Sequence, residues 1–379
     1  MGAHADDRSQ AKRIHDRLTG VPPDVATLDA LEITLAADPL QAALDALEHP
    51  RFYNVTLKNF AAPWTNRDGS VFVPLNDYTA TVIGIVRDDV DFREVLSGDI
   101  AYIGSSGPAY STTGNAHFAA LEDADVDLGA DLTRVTQSSL NGLPSTATAG
   151  VMTSRAAAQA FFIAGTNRAM LRFTLMNHLC HDLEQVHDTT RSPDRIRQDV
   201  SRSPGGDSRV FLNNCIGCHS GMDPLAQAYA YYDFSFDAEA DPEGETGQIM
   251  YNDAGTTDPI SGTQVVAKYF NNEATFPQGF ATPNDSWANY WRDGVNSRLG
   301  WDSSRAASGN GAKSMGAELA NSEAFASCQV TKVFENVCLR APADSTDRNQ
   351  IAAMTASFQS NGYRLKRVFA EAAVYCMGD

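Results

Sequence analysis

The amino-acid sequence predicts a mainly α-helical protein with a small β-hairpin insertion. Apolar residues recur at the three-to-four-residue spacing of helices over residues 6–64 and again over 314–376. Residues 154–186 are apolar on most sides, which is typical of a buried helix. Strand-like pieces are short and lie in a stretch between residues 235 and 285 that is rich in acidic and turn-forming residues. These three observations favour helices packed together, with little sheet.

In the N-terminal part, turn and capping residues divide the helical pattern. Gly20 and Pro22 end a first short helix, Thr27 can cap the next one, and Asp38 followed by Pro39 opens a third. The predicted helices are 10–18, 27–37 and 39 to about 49, with an apolar segment over 52–64. Beyond them we expect a short strand at 71–73, a helix or buried strand at 75–86, and long loops over 104–150 with one helix near 116–121.

In the C-terminal part, longer helices flank the acidic stretch. Ser154 can cap a helix that is predicted to pass Gly165 and to reach about Val186. Strand-like pieces follow at 248–251 and 264–269, and three closing helices are predicted at 314–337, 346–359 and 364–376.

The net charge restricts the partners that the chain can bind. The chain has 379 residues and a formal net charge of −18. Such a charge repels nucleic acid and anionic lipid headgroups, so a basic redox partner or a small molecule fits better. No run of about 18 apolar residues is present, so no transmembrane segment is predicted. The first residues lack the basic and apolar regions of a signal peptide, and we expect that any such segment has been removed.

The five residues Cys215-Ile216-Gly217-Cys218-His219 carry the strongest chemical signal in the chain. They form the pattern C-x-x-C-H, which is typical of covalent attachment of a c-type haem. Two thiols one helical turn apart can each bond to a vinyl group of the porphyrin, and the adjacent imidazole then binds the iron. The sequence therefore predicts one haem c held by Cys215, Cys218 and His219, with His219 as the proximal iron ligand. Because this attachment occurs outside the cytoplasm, we expect a periplasmic or secreted protein.

The distal ligand of the iron is left open by the sequence. Met222 lies on the same turn as His219 and is predicted to pack against the porphyrin edge. Met250, about thirty residues later, and His187 are the distal candidates that we favour. Further candidates of the same residue types are Met315, Met354, His178 and His181.

Polar and acidic residues near the motif suggest two further contacts. Haem propionates need hydrogen-bond donors, and Arg202 and Arg209 are close upstream of Cys215. The acidic residues over 237–245 could hold Ca²⁺, but they lack the spacing of a calcium loop, and a solvated acidic hairpin is favoured.

Four cysteines outside the motif are predicted to form two disulfides, since an even number suits an oxidising compartment. Cys328 and Cys338 are expected on one helix, too far apart to be bridged to each other. Two pairings remain: Cys180–Cys328 with Cys338–Cys376, or Cys180–Cys338 with Cys328–Cys376.

These observations divide the chain into five predicted units. They are an N-terminal helical module over 1–103, a loop-rich connector over 104–153, a haem-binding module over 154–234, an acidic turn-rich insertion with short strands over 235–312, and a C-terminal helical module over 313–379.

Three segments of the chain resemble modules of the planctomycete-type secreted cytochromes c. Residues 17–23 (R-L-T-G-V-P-P) are similar to the opening of one of their helical modules, and residues 215–234 are similar to their haem module, which typically continues D-P-L-G-F-A. Residues 324–365 resemble their closing helical module. Ala226 stands where that family usually has Gly, so packing against the haem would differ there. The resemblance implies an exported redox protein with one haem, without naming a substrate.

The sequence thus predicts a c-type cytochrome that transfers electrons outside the cytoplasm. The alternative is a mono-haem c-type oxidase or peroxidase that acts on a small molecule at an open distal site. A third interpretation is a structural protein in which the haem staples a large fold.

Overall fold

Helices dominate the structure, which is a computed structural model and describes residues 6–270 and 274–378. Strands occur in these ranges only as three two-stranded antiparallel sheets. The predicted fold class, mainly α with a small hairpin insertion, is confirmed at this level. Over the same ranges, no helix has both the length and the mean hydropathy that a bilayer-spanning helix needs.

The first third of the chain is a series of helices that end in a small sheet. Its helices are α1 Asp7–Thr19, α2 Val25–Ala37, α3 Pro39–Ala46, α4 Lys58–Ala61, α5 Asp77–Arg87 and α6 Glu94–Ser97, with a π-helical turn at Phe52–Leu57 and a 3₁₀ turn at Ala62–Thr65. Asp24, and not Thr27, caps α2, because its carboxylate accepts a hydrogen bond from the Thr27 backbone N–H. Residues 71–73 do not form the predicted strand, and residues 77–87 are helical.

The middle of the chain alternates short helices and short strands. They are β1 Ala101–Gly104, α7 Ala116–Asp123, α8 Leu128–Asp131, β2 Leu132–Val135, α9 Gln137–Asn141, α10 Arg155–Phe162, α11 Arg168–Leu179, α12 Ser208–Val210, α13 Ile216–Ala226, β3 Tyr232–Ser235, β4 Gln248–Tyr251 and α14 Ala267–Phe270. The strand predicted at 248–251 is confirmed as β4, which pairs with β3 as a hairpin. The strand predicted at 264–269 was wrong, because α14 begins there. The sequence also missed the β1–β2 sheet.

The last third of the chain is again helical. Its elements are β5 Ser286–Ala288, β6 Ser308–Asn310, α15 Gly311–Ala320, α16 Glu323–Cys338, α17 Ser345–Ser360 and α18 Leu365–Tyr375. The predicted helix 314–337 is in fact two helices: α15 ends at Ala320 with Asn321 as its C-cap, and Ser322 caps α16 by accepting a hydrogen bond from the Phe325 backbone N–H. The next two predicted helices correspond to α17 and α18.

The predicted continuous helix from Ser154 to Val186 was also wrong. The chain leaves the helix after Phe162 and starts α11 at Arg168. Asn167 has a φ of 61°, and its side-chain amide donates hydrogen bonds to the Tyr229 and Tyr232 carbonyls at 3.2 and 2.8 Å. These contacts from distant residues stabilise Asn167 in the left-handed backbone conformation between two helices. Local periodicity does not indicate such a break.

One hydrophobic core joins the two ends of the chain. Helix α18 packs against α1 and α3, and α16 packs against α17, α18 and α11. Helix α11 lies between α10, α16 and α13, and so carries the packing from the C-terminal helices to residues 216–226. Phe369 of α18 contacts both Phe52 and Phe60 edge-on, at ring-centroid distances of 5.2 and 5.3 Å.

Two disulfides resolve the alternative that the sequence left open. Cys180 is bonded to Cys328 and Cys338 to Cys376, with Cα–Cα distances of 5.4 and 5.5 Å. Cys328 and Cys338 both lie on α16, as predicted. The first disulfide therefore joins the C-terminus of α11 to α16, and the second joins the end of α16 to the end of α18.

The two disulfides are predicted to differ in their effect on stability. They close loops with sequence separations of 148 and 38 residues. By the loop-entropy relation, removing Cys180–Cys328 as a pair of alanines should lower the free energy of unfolding by about 5 kcal/mol, against about 4 kcal/mol for Cys338–Cys376. Denaturant unfolding of both double variants checks the order, and a larger loss for Cys338–Cys376 would contradict it.

Gly316 is predicted to be essential for the contact between α15 and α6. A Cβ atom at this position would overlap the backbone carbonyl oxygen of Leu96, which cannot swing away as a side chain can. Gly316→Ala should therefore lower the free energy of unfolding by about 2 kcal/mol, although alanine favours helices. The control is Gly114→Ala, where the nearest atom to an added Cβ is 3.9 Å away. Equal stability of the two variants would refute the close packing.

Candidate functional site

The residues 215–219 lie where a wide helical turn narrows into α13. Residues 211–215 form a π-helical turn, and α13 begins at Ile216. Because a helix turns about 100° per residue, Cys215, Cys218 and His219 share one side. All three side chains are half-buried, and Leu212, one turn earlier on that side, is 56% exposed. The side of the helix that carries the three chemical groups is therefore open and partly apolar.

The two cysteines of the motif are free thiols, whereas the other four cysteines are paired. The Cys218 thiol lies 3.5 Å from the Leu183 carbonyl oxygen, to which it donates a hydrogen bond. Burial raises the pKa of this thiol, and the nearby carboxylates of Glu184 and Asp182 raise it further. Cys218 is therefore held as a protonated thiol.

His219 has one ring nitrogen engaged. Its Nδ1 lies 3.0 Å from Oδ1 of Asp223, one turn later on the same helix. In the part of the chain that the structure describes, Nε2 of His219 has no hydrogen-bond partner. A carboxylate can only accept, so Nδ1 is the donor, and in a neutral ring Nε2 would be left with the lone pair that a metal needs.

Asp223 is fully buried and hydrogen-bonded on both oxygens. Arg168 of α11 donates to Oδ1 from Nε at 2.7 Å and to Oδ2 from Nη2 at 3.0 Å, and the Arg197 backbone N–H donates to Oδ2 at 3.1 Å. Burial opposes ionisation of this carboxyl group, but the charge of Arg168 and the bond from His219 outweigh it. The pKa of Asp223 is therefore held well below its usual range.

Further charged groups complete this buried cluster. Arg168 also makes a two-pronged ion pair with Asp199, at 2.6 and 2.8 Å. The guanidinium of Arg197 lies over the ring of Tyr269, 4.1 Å from its centroid. Among residues 6–270 and 274–378, neither Nη2 of Arg197 nor the Tyr269 hydroxyl has a hydrogen-bond partner.

Sequence reasoning missed the whole of this cluster. The four-residue spacing of His219 and Asp223 is a visible signal, since such residues are neighbours on a helix. Arg168 and Asp199 carry no comparable signal, because they are 55 and 24 residues away from Asp223 and meet it only in the folded chain.

The opposite side of α13 is formed by two glycines. Cβ atoms at Gly217 and Gly221 would overlap the rings of His187 and Trp291, respectively. The Gly217 carbonyl also accepts a hydrogen bond from the Asp188 backbone N–H at 3.0 Å. Two neighbouring segments can thus lie directly against the helix backbone.

This packing disfavours His187 as the distal ligand. The ring of His187 lies against Gly217. Positions 217 and 219 are separated by a rotation of about 200° around the helix axis, so they face nearly opposite sides of α13. His187 therefore lies behind the helix that carries His219.

The two methionines of the prediction lie in different environments. Met222 is only 4% exposed and belongs to the hydrophobic core below the motif. Met250 is 41% exposed on β4, with its sulfur 4.0 Å from the amide nitrogen of Gln248. The hairpin that carries Met250 packs against α10, whereas α13 packs against α11. The identity of a distal ligand stays a prediction.

The two arginines predicted as propionate partners make contacts within the protein that leave some of their donors unused. Arg209 is exposed and makes a two-pronged ion pair with Asp207. Arg202 donates to the Val200 and Ile196 carbonyls and lies between the rings of Phe211 and Phe276. Nη2 of the buried Arg197 has no hydrogen-bond partner among the residues that the structure describes.

The other two candidate histidines differ from each other. His178 is buried, its Nε2 is 2.8 Å from the Tyr78 hydroxyl, and Trp64 packs edge-on against it. His181 is half-buried, donates from Nδ1 to the Leu179 carbonyl at 2.6 Å, and lines an open groove of 560 Å³ with Gln185.

Within the described ranges, no group of three or more His, Cys, Asp or Glu side chains is arranged to hold a metal ion. In the acidic hairpin, Asp241 instead accepts hydrogen bonds from the Glu245 and Thr246 backbone N–H groups. Comparisons with protein families, curated proteins and solved structures found no match for this chain.

His178 is predicted to make the fold sensitive to acid. Burial, together with the nearby ammonium of Lys332, lowers the pKa of His178 to about 3. Since the unfolded chain takes up this proton near pH 6.5, stability is complete above that pH and falls by about 1.4 kcal/mol per pH unit below it, until about pH 3. His178→Gln should flatten the dependence of the unfolding free energy on pH between 6 and 4. The control is His181→Gln, at a histidine that is only half-buried. An unchanged pH dependence of the unfolding free energy in His178→Gln would contradict the prediction.

Proposed function

We propose that this chain is a c-type cytochrome that carries one covalently attached haem and transfers electrons outside the cytoplasm. Thioether bonds from Cys215 and Cys218 would hold the haem, and Nε2 of His219 would bind the iron. One observation carries the proposal: two thiols and one imidazole share the open side of a single helix, and within the described residues the thiols form no disulfide and Nε2 of the imidazole has no partner.

The state of the cysteines supports haem attachment over other uses of the same motif. Four cysteines form disulfides, so a free pair one turn apart indicates thiols reserved for another bond. A structural zinc site would need four ligands, and the described residues hold no such group. A c-type haem needs only the two thiols and one imidazole from this helix.

The surface around the motif suits a flat apolar group. Leu212 is 56% exposed and Val210 is 36% exposed, next to the half-buried Cys215 and Ile216. Exposed apolar side chains of this size gain from being covered, by about 25 cal/mol per Å² of surface. A bound haem supplies an iron that cycles between two oxidation states, and it would cover this surface.

A donor for a haem propionate is present close to the site. Arg197 is buried and adjoins Asp223 through its backbone, and its Nη2 has no partner in the described ranges. The Tyr269 hydroxyl beneath it is likewise without one. Arg197 is therefore a third candidate propionate partner beside Arg202 and Arg209, each of which keeps N–H donors that its contacts do not use.

The proposal also covers family, location and partner. The resemblance of residues 215–234 to the haem module of the planctomycete-type secreted cytochromes c points the same way. Disulfides fit a periplasmic or secreted protein, because they persist in oxidising compartments. With a net charge of −18, a redox partner with a basic docking surface is favoured.

A mono-haem oxidase or peroxidase is the second candidate. It is favoured by the positions of the two predicted distal residues: His187 lies behind α13, and Met250 lies on a hairpin that packs against α10. An iron without a protein ligand on its distal side would be open to peroxide or O₂.

The first test asks whether the haem attaches. The full chain, exported in a bacterium that matures c-type cytochromes, should gain the mass of one haem and keep its absorption after acid–acetone extraction. Cys215→Ala with Cys218→Ala should abolish attachment. The matched control, Cys338→Ala with Cys376→Ala, should retain it. A wild-type chain that emerges without haem from a host that loads other cytochromes would overturn the proposal.

The second test separates electron transfer from haem catalysis. Under the electron-transfer proposal, the spectrum of the reduced protein is low-spin and does not change on adding carbon monoxide. His181→Ala and Met250→Ala, measured beside His187→Ala, would then show which side chain opens the site. A high-spin wild-type haem that binds carbon monoxide readily would favour the oxidase or peroxidase.

A further inference from the structure

We propose that Asp223 is the positioning residue for His219: its carboxylate holds the proton on Nδ1, aims Nε2 at the open side of α13 and lowers the reduction potential of the haem. This inference rests on the proposed function, because it assigns a role to the environment of the proposed iron ligand. It concerns how strongly Nε2 of His219 would donate to the iron, a property that the C-x-x-C-H motif alone does not determine.

The geometry leaves Asp223 one orientation. The side chain is fully buried, and three groups besides His219 fix its two oxygens: Nε and Nη2 of Arg168 and the backbone N–H of Arg197. Because the two bonds from Arg168 are parallel, the carboxylate plane is fixed by a rigid fork. The remaining direction on Oδ1 is filled by Nδ1 of His219 at 3.0 Å. The imidazole is therefore held on a rigid support, not by a mobile surface group.

A charged carboxylate that accepts the hydrogen bond from His219 affects the imidazole more strongly than a neutral acceptor would. The Asp223 carboxylate forms an ion pair with the Arg168 guanidinium at 2.7 Å, so the acceptor of the bond from His219 belongs to a charged pair. A charged acceptor draws the Nδ1 proton more strongly and makes Nε2 a more basic ligand. A more basic axial ligand stabilises the oxidised iron over the reduced iron, so the potential falls.

Asp199 provides a matched control within the same cluster. Its side chain is 13% exposed, against the fully buried Asp223, and Arg168 binds it through two hydrogen bonds at 2.6 and 2.8 Å. In the described part of the chain, however, Asp199 makes no hydrogen bond to His219. Neutralising either aspartate removes one negative charge from Arg168, but only the change at position 223 affects the bond to the imidazole.

The experiment compares Asp223→Asn and Asp199→Asn in the full-length haem-loaded chain. Asp223→Asn should shift the equilibrium between oxidised and reduced haem at least tenfold toward the reduced form. For a one-electron couple this is a rise in the reduction potential of about 59 mV. Asp199→Asn should change the same equilibrium less than threefold. Equal shifts in the two variants would overturn the proposal, because the general charge and not the hydrogen bond would then be responsible.

A second measurement keeps the inference testable if Asp223→Asn does not fold. Nitrogen-15 spectra of the wild-type full-length chain should show His219 protonated on Nδ1, with slow exchange of that proton. A proton on Nε2 in a haem-free chain, or rapid exchange from Nδ1 in the loaded chain, would refute the role of Asp223. Mass spectrometry reports haem attachment separately, so a failure of the proposed function is distinguishable from a failure of this inference.

Discussion

The buried ion pair between Arg168 and Asp223 is the interaction on which the arrangement of the site depends. It joins α11 to α13, and Asp199 and the Arg197 backbone bring the loop between these helices to the same point. Four charged side chains, two of each sign, are thus removed from water together. Loss of one partner would leave a charge buried without compensation, a change that typically costs about 3–5 kcal/mol. The cluster therefore fixes the position of the His219 ring through the hydrogen bond from Nδ1 to Asp223.

The packing behind α13 adds a second constraint. Gly217 and Gly221 lie one turn apart, and the rings of His187 and Trp291 occupy the space that larger residues would fill. Because these rings contact the backbone side of α13, the cysteine side remains facing outward. A helix held in this way can offer reactive groups at the surface without losing its own attachment to the core.

The sequence predicted the parts of this structure that depend on local patterns. The helices between residues 7 and 46 and between 345 and 375 follow from periodicity and capping residues, and the C-x-x-C-H motif is visible by its spacing. Prediction failed where distant contacts decide the conformation. Asn167 interrupts the expected long helix because its side chain binds the carbonyls of Tyr229 and Tyr232. These residues come 62 and 65 positions later in the sequence.

The same distinction applies within the candidate site. The pair His219 and Asp223 could be found from a four-residue spacing, but nothing local marks Arg168 as the group that keeps Asp223 ionised. That Nη2 of Arg197 is buried without a partner in the described part of the chain becomes visible only in the folded structure. Sequence alone therefore identifies the groups that would bond to a cofactor, and the fold identifies the groups that would tune it.

The disulfide Cys180–Cys328 connects the charged cluster around Asp223 to the wider fold. Cys180 ends α11 and begins a segment that runs along α13, where the Leu183 carbonyl meets the Cys218 thiol and the Asp188 N–H meets the Gly217 carbonyl. Arg168 lies at the other end of α11. One helix thus has its first residue bound to Asp223 and its end bonded covalently to α16. A shift of α11 relative to α13 would move both the hydrogen-bond acceptor of His219 and the surroundings of Cys218. The packed helices therefore keep the motif and the charged cluster around Asp223 in their relative positions.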